Sequence, residues 1–393
     1  MSERKEIWII SGEESGDIYG AMLADDLADA AEKAGAELKI SIMGGKRMAA
    51  TGAEVMVDAT ELGVVGLVEV FKMIGTFIRV FRGLVRRAKK NPPDAAVLID
   101  YPGFNLRLAK RLHKLGVPVV WYISPQVWAW KKGRVRELAE YCSKMLVIFP
   151  FETEIYEKAG LEVEFVGHPL VDIAKESGLD SVERDDNLLL LLPGSRSNEI
   201  NRLFVPMLET AVELKKRRPE LRFAAAAPRE SVKKRLEEIL ARFKRRGGDA
   251  GKIEVEIRCG ETPKAMREAA TTLVASGTAT VECAIANLPA TVVYKLNPIT
   301  YALARMVIDI PFFTMVNIIA NERVYEEYLQ GDVNAMNLAD SLEKILPGGE
   351  RRKEAEKGIR RVVDAISAES GRSSARAAEA ALAVALKNKN GED

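Results

Sequence analysis

Short apolar runs alternate with amphipathic stretches almost from end to end, and this alternation constrains the chain more than any other feature. Residues 7–10, 39–43, 95–99, 117–123 and 145–149 read as buried strands. Helical patterns lie between them, as in 17–33 and 104–115. Strands spaced in this way by amphipathic helices imply a parallel sheet with crossover helices on its faces. The pattern then restarts at 187–192, 221–226, 253–257, 272–275 and 290–294. A chain of 393 residues is also too long for one ordinary core. The expected fold is α/β, with two doubly wound, Rossmann-like domains facing a cleft and followed by C-terminal helices. The expected bounds are 1–170 for the first domain, 171–186 for a linker, 187–348 for the second domain and 349–393 for a C-terminal helical segment.

Bulk composition excludes several classes. A hydrophobic fraction of 47% with 29% charged residues belongs to a folded globular protein. The formal charge of +1 gives no reason to expect a nucleic-acid partner. Cys142, Cys259 and Cys283 lie far apart and the chain has two histidines, so no structural zinc site is expected and the reading is a reduced, cytosolic protein. The first apolar run, 7–10, is too short for a signal peptide and reads as a strand. The longest uncharged run, 115–130, contains Pro118 and Pro125 and falls short of the roughly 20 residues that span a bilayer.

In doubly wound sheets ligands bind beyond the carboxyl ends of the strands, so the strand-end loops carry the functional information. The first strand is followed by Ser11-Gly12-Glu13-Glu14-Ser15-Gly16-Asp17, which is not GxGxxG. It reads either as a ligand loop or as a plain turn with Asp17 near the helix start. After 95–99 comes Asp100-Tyr101-Pro102-Gly103-Phe104-Asn105. Asp100 there reads as a general base for a hydroxyl or as a helix N-cap. Ser124-Pro125-Gln126-Val127-Trp128-Ala129-Trp130 places two of the four tryptophans in a strand-end loop. His168 reads equally as a ligand contact or a hinge residue, and His113 as structural.

The second half opens on Pro193-Gly194-Ser195-Arg196, directly after a strand and before a helix. Backbone N–H groups at a helix start, together with an arginine, suit a diphosphate. No GK[ST] is present, so this is not a Walker loop. Ser276-Gly277-Thr278 repeats the arrangement, with Glu282 one turn on to accept ribose hydroxyls. The plainer reading of Glu282 is a surface helix residue. Residues 64–90 are strongly basic, with seven cations against the single acid Glu69. The cations gather on one side of a helix and Phe77, Phe81 and other apolar residues on the opposite side, which suits an anionic membrane surface. A core-facing crossover helix with a solvated cationic face is the other reading.

Together these motifs resemble the lipid-A-disaccharide synthase family, GT-B-type glycosyltransferases of Gram-negative outer-membrane assembly. The resemblance rests on Gly12–Asp17, Asp100–Asn105, SPQVWAW at 124–130, FPFE at 149–152, Gly167-His168-Pro169, LPGSR at 192–196, SGTATVEC at 276–283, Tyr294-Lys295, Asn297-Pro298 and Asn317-Ile318-Ile319-Ala320, in family order. It implies transfer of 2,3-diacylglucosamine from its UDP conjugate to 2,3-diacylglucosamine 1-phosphate, with inversion, a β-1,6 bond and release of UDP. It implies Asp100 as the base and UDP-sugar contacts from Gly194, Ser195, Arg196, Ser276, Gly277, Thr278, Glu282 and Asn317. Acceptor or cleft contacts fall to Glu13, Ser15, Asp17, Gln126 and Trp128. Membrane or acyl contacts fall to Lys72, Phe77, Arg79, Phe81, Arg82 and Arg86. No metal and no cofactor are implied, nor any nucleic-acid partner. Peripheral association with the cytoplasmic face of the inner membrane is implied, and a homodimer is left open. The chain departs from the family pattern at Asn321-Glu322-Arg323 and at Val316, which puts nucleotide contacts from 321–323 in doubt. Competing readings are a UDP-sugar 2-epimerase and a non-catalytic, membrane-associated nucleotide-sugar-binding protein.

Overall fold

The structure is a computed structural model that describes residues 4–59, 69–126, 133–297, 301 and 311–388, with 69–74 described as backbone only. Two compact units divide it: Met1–Pro169 with Ile366–Asp393, and Leu170–Ala365.

The first unit is built on a seven-stranded parallel sheet. Its strands are β1 (Lys5–Ile10), β2 (Leu38–Gly44), β3 (Glu54–Asp58), β4 (Ala95–Ile99), β5 (Val119–Tyr122), β6 (Lys144–Val147) and β7 (Val163–Phe165), in the order β3-β2-β1-β4-β5-β6-β7. The second unit repeats the design with β8 (Asp185–Leu192), β9 (Arg222–Ala227), β10 (Val255–Cys259), β11 (Ala269–Ala275), β12 (Ala290–Tyr294) and β13 (Glu326–Leu329), in the order β10-β9-β8-β11-β12-β13. Every described pairing is parallel, as in Ile10 beside Leu98 and Leu192 beside Val274. Central strands are covered by helices on both faces, so β4 and β11 are buried at every residue. That double burial is why they read as unbroken apolar runs rather than as alternating ones.

The strand order reverses between β1 and β4 in the first sheet and between β8 and β11 in the second. Connections leave these neighbours in opposite directions, opening a crevice at their carboxyl ends. The loops that open it are 11–17 with 100–103 in one unit, and 193–196 with 276–278 in the other.

Two expected boundaries are corrected. Residues 171–186 are not a bare linker: they hold most of the helix Pro169–Glu176, the turn Leu179–Ser181 and the start of β8. The segment 349–393 is not one body either. The helix Arg352–Ile366 buries Ile359 and Val362 in the second unit, with Gly358 close against Val324. The helix Ser373–Lys387 belongs to the first unit. Its small buried face, Ala377, Ala378, Ala381 and Ala385, permits close helix packing, and Arg372 just before it pairs with the buried carboxylate of Asp26. Near the return of the chain, the His168 N–H donates to the Ile366 carbonyl at 2.8 Å. Burial pushes the His168 imidazole down to about 3, so the ring is neutral. No described helix is long and apolar enough to cross a membrane.

Candidate active site

In the first unit, β4 delivers Asp100 to the switch point and the backbone turns sharply there. Asp100 and Tyr101 both occupy the left-handed region, at φ 42° and 49°. Two successive non-glycine residues in that region are costly, and such strain persists only where the surroundings impose it. Asn105 is one of the groups that impose it. It is fully buried on the helix Pro102–His113, and its Nδ2 donates to the carbonyls of Ile99 at 3.1 Å and Asp100 at 2.8 Å. The facing loop closes onto the same turn: a Cβ on Gly12 would sit 2.5 Å from the Tyr101 ring, so only glycine permits this approach. Burial, and then the charge of nearby Glu13, push the Asp100 carboxyl up to about 6. A carboxylate raised to that value is suited to taking a proton near neutral pH.

The other loop residues divide. Glu13 and Ser15 are exposed. Asp17 is committed elsewhere: its carboxylate accepts from the main-chain N–H groups of Gly45 at 2.7 Å, Arg47 at 3.0 Å and Met48 at 3.1 Å. It caps a short helix, and its assignment to the acceptor cleft is corrected to a structural one. Gln126 is exposed, and Trp128 lies outside the described residues. Upstream of them, Ser124 Oγ and Tyr156 Oη share a buried hydrogen bond of 2.6 Å that fixes the start of this loop.

In the second unit a cavity of about 270 Å³ opens at the switch point, and Gly194, Ser195, Arg196, Ser276, Thr278 and Glu282 contribute to its wall. Gly277 lines it as well. Gly194 stands at φ 99°, and a Cβ there would lie 2.6 Å from Glu199 Oε2. Arg196 precedes the helix Ser197–Arg217, its side chain 82% exposed and its Nη1 3.1 Å from Glu199 Oε1. Thr278 opens the helix Thr278–Ile285, so two helix starts present free N–H groups to one cavity. Burial raises the Glu282 carboxyl. Glu282 is therefore a cavity residue, not the solvated helix residue of the plainer reading.

Asn317 does not belong to this set. It is fully buried on the helix Met315–Ala320, and its side chain is spent on the main chain of 324–325 and the Glu327 carboxylate. Oδ1 accepts from the N–H groups of Val324 and Tyr325 at 2.9 and 2.8 Å, and Nδ2 donates to the Tyr325 carbonyl and to Glu327 at 2.8 and 2.9 Å. Its assignment to the UDP-sugar is corrected: it brackets the turn that leads into β13. Glu322, at the divergent stretch, is paired with Arg361.

The basic segment is helical over Glu69–Lys90, and Lys72 lies in it with its side chain outside what is described. The helix packs one face on the core and leaves cations exposed on the other. Leu84 and Ala88 are buried in the core, whereas Phe77, Phe81 and Val85 are half-buried against it. Arg79, Arg82 and Arg86 are exposed. Sequence reasoning placed Asn105 in the Asp100 motif without giving it a role, and missed Arg229, whose Nη2 donates to the Ser195 carbonyl at 3.4 Å. Arg229 follows β9 by two residues, so the strand-end rule applied once more would have found it.

Two doubly wound parallel units with strand-end sites define the GT-B class of folds, to which nucleotide-sugar enzymes belong. The chain is a member of the lipid-A-disaccharide synthetase family, whose pattern it matches over residues 7–381. It is 36% identical over 366 residues to the lipid-A-disaccharide synthase of Myxococcus xanthus, covering 91% of this chain and 92% of that one. To the lipid-A-disaccharide synthase of Geobacter sulfurreducens it is 37% identical over 347 residues, 86% and 87% of the two chains. Among solved structures, the UDP-GlcNAc 2-epimerase from Neisseria meningitidis bound to UDP-GlcNAc superposes with a TM-score of 0.60 over 98% of this chain and 100% of that one. At 10% identity that likeness concerns the fold alone. The family makes the chain a glycosyltransferase that forms the lipid A disaccharide from a nucleotide-sugar and a lipid-phosphate acceptor.

Proposed function

We propose that the donor is UDP-2,3-diacylglucosamine, that the acceptor is 2,3-diacylglucosamine 1-phosphate, and that Asp100 is the base. Asp100 takes the proton from the acceptor's 6-hydroxyl as that oxygen attacks C1 of the donor sugar. The bond from C1 to the diphosphate oxygen breaks, UDP leaves with its electron pair, and the anomeric centre inverts to a β-1,6 linkage. The observation that carries this reading is the half-buried Asp100 at the β1/β4 switch point, its carboxyl raised to about 6 by burial and Glu13. The second unit's cavity receives UDP, with the helix starts after Gly194-Ser195-Arg196 and at Thr278 facing the diphosphate, and Glu282 accepting from ribose hydroxyls. The diphosphate charge is met there by Arg196 and main-chain N–H groups, with no metal ion required.

The half-buried phenylalanines and exposed arginines of the helix Glu69–Lys90 suit an anionic bilayer, and we assign the protein to the cytoplasmic face of the inner membrane as a peripheral enzyme. A homodimer is compatible with this reading. Replacing Asp100 with Ala tests it: transfer falls by roughly 10²–10⁴, the usual share of a general base, while UDP affinity is kept. Transfer at the wild-type rate removes Asp100 from the chemistry.

A further inference from the structure

We propose that Arg107 and Arg111 hold the acceptor's phosphate, in a groove between the helices Glu69–Lys90 and Pro102–His113 that receives the acceptor's acyl chain. This rests on the function proposed above and adds the residues by which the acceptor is recognised. The groove encloses about 1080 Å³ within the first unit. Its floor is aromatic: Phe104 meets Phe81, Tyr101 and Phe77 with ring centroids 5.8, 5.9 and 6.3 Å apart. Its rim is cationic, formed by Arg82, Arg86, Lys89, Arg107, Arg111 and Lys114, and no acidic residue lines it among the described residues.

None of these six cations has a carboxylate partner among the described residues. On the same helix Arg87, outside the groove, is paired with Glu54 at 2.7 Å and Glu6 at 3.6 Å. The cations around the groove thus carry no compensating carboxylate among the described residues, and neither do Arg79 and Lys90 outside it. Uncompensated like charges at one rim repel each other until an anion arrives. An apolar floor under a cationic rim selects an anionic amphiphile.

Position decides which amphiphile. The groove begins at Tyr101 and Gly103, next to Asp100, and extends along the helix to Leu115, roughly 20 Å at 1.5 Å per residue. A lipid lying in it has its head beside the base, which the acceptor requires and a bulk phospholipid does not. Arg107 is already folded toward that end, its Nη1 donating to the Gly103 carbonyl at 3.2 Å. Arg111 follows one turn later on the same face, so two guanidinium groups can share one phosphate with forked hydrogen bonds.

The test compares diacylglucosamine 1-phosphate with its phosphate-free counterpart in neutral detergent micelles, on the wild type and on Arg107→Ala/Arg111→Ala. The double variant should raise KM for the phosphorylated acceptor by roughly 10–100-fold, as expected for lost charge-assisted contacts. KM for the UDP donor, turnover of the phosphate-free acceptor and the melting temperature should stay unchanged. Arg107→Lys should restore part of the loss. Unchanged discrimination between the two acceptors overturns the assignment, as does a variant that only loses flotation on anionic vesicles, which would give the rim to the bilayer. Calorimetric binding of diacylglucosamine 1-phosphate separates this claim from the reaction itself. Arginine-dependent binding without transfer would refute the reaction alone, and equal Kd for both proteins would refute the phosphate site.

Discussion

The side-chain amide of Asn105 donates to the main-chain carbonyl of Asp100 at 2.8 Å and to that of Ile99 at 3.1 Å, holding the proposed base through its backbone and not through its carboxylate. Asn105→Ala leaves these carbonyls without that donor, at a cost of roughly 1–3 kcal/mol for each group left buried and unpaired. The left-handed pair Asp100-Tyr101 then loses a restraint on a turn that itself stores about 1–3 kcal/mol per residue. The expected result is a lower melting temperature and a fall in kcat, with the Kd for UDP unchanged because UDP is assigned to the other unit. Steady-state kinetics beside calorimetry check this. A kcat that survives the loss of Asn105 would show that the turn holds itself.

As the proposed base, Asp100 also predicts a pH dependence. Its carboxyl is raised to about 6, and the base must be ionised to take a proton, so kcat/KM should be flat above that value and fall as the pH drops through it. The Glu13 charge is the second cause of the rise, after burial. Glu13→Gln removes that charge, makes ionisation easier and should move the acid limb to lower pH. A limb that stays in place, or moves upward, contradicts the pairing of these two groups.

For the nucleotide the structure separates two residues that the sequence motifs had joined. Arg196→Ala should weaken UDP binding by roughly tenfold or more, the loss of a charge-assisted contact, and leave stability almost unchanged because its side chain is 82% exposed. Asn317→Ala should do the reverse, lowering the melting temperature through four lost hydrogen bonds, three of them buried, while a folded fraction binds UDP normally. Calorimetry and thermal melts on both variants decide; UDP affinity lost in both at equal stability would return Asn317 to the binding site.

The helix Glu69–Lys90 carries a mixed expectation. Arg79→Ser/Arg82→Ser should reduce flotation on anionic vesicles at low salt, with about 1 kcal/mol lost per cation, and spare stability. Phe81→Ser should both weaken flotation at every salt concentration and lower the melting temperature, because its half-buried ring touches Phe104 on one side. A variant that melts early but floats like the wild type would make the segment an ordinary crossover helix.

The central strands were legible because double burial writes itself into the sequence as unbroken apolar runs, as in β4 and β11. Of the edge strands, β10 was read at 253–257, but β3, β7 and β13 were not. They are short, and they carry Glu54 and Asp58, Glu164, and Glu326 and Glu327. Charges of that kind keep an open edge from pairing with other chains and hide it from a hydrophobic pattern. Asp100 and the loops 193–196 and 276–278 were singled out because strand ends are where such sheets bind ligands, and they stand at the two switch points. Asn317 was misread because its partners lie on residues 324–327, which the left-handed turn at Asn321 folds back onto it. The groove with Arg107 needs two helices side by side, and no local pattern reports that.

The most direct measurement is mass spectrometry of the products formed from UDP-2,3-diacylglucosamine with and without 2,3-diacylglucosamine 1-phosphate. With both present, a tetraacylated β-1,6-linked disaccharide 1-phosphate and an equal amount of UDP are expected, and with the acceptor omitted, no turnover. A UDP-sugar epimerised at C2 in the absence of acceptor, or no disaccharide when both substrates are supplied, would contradict the account.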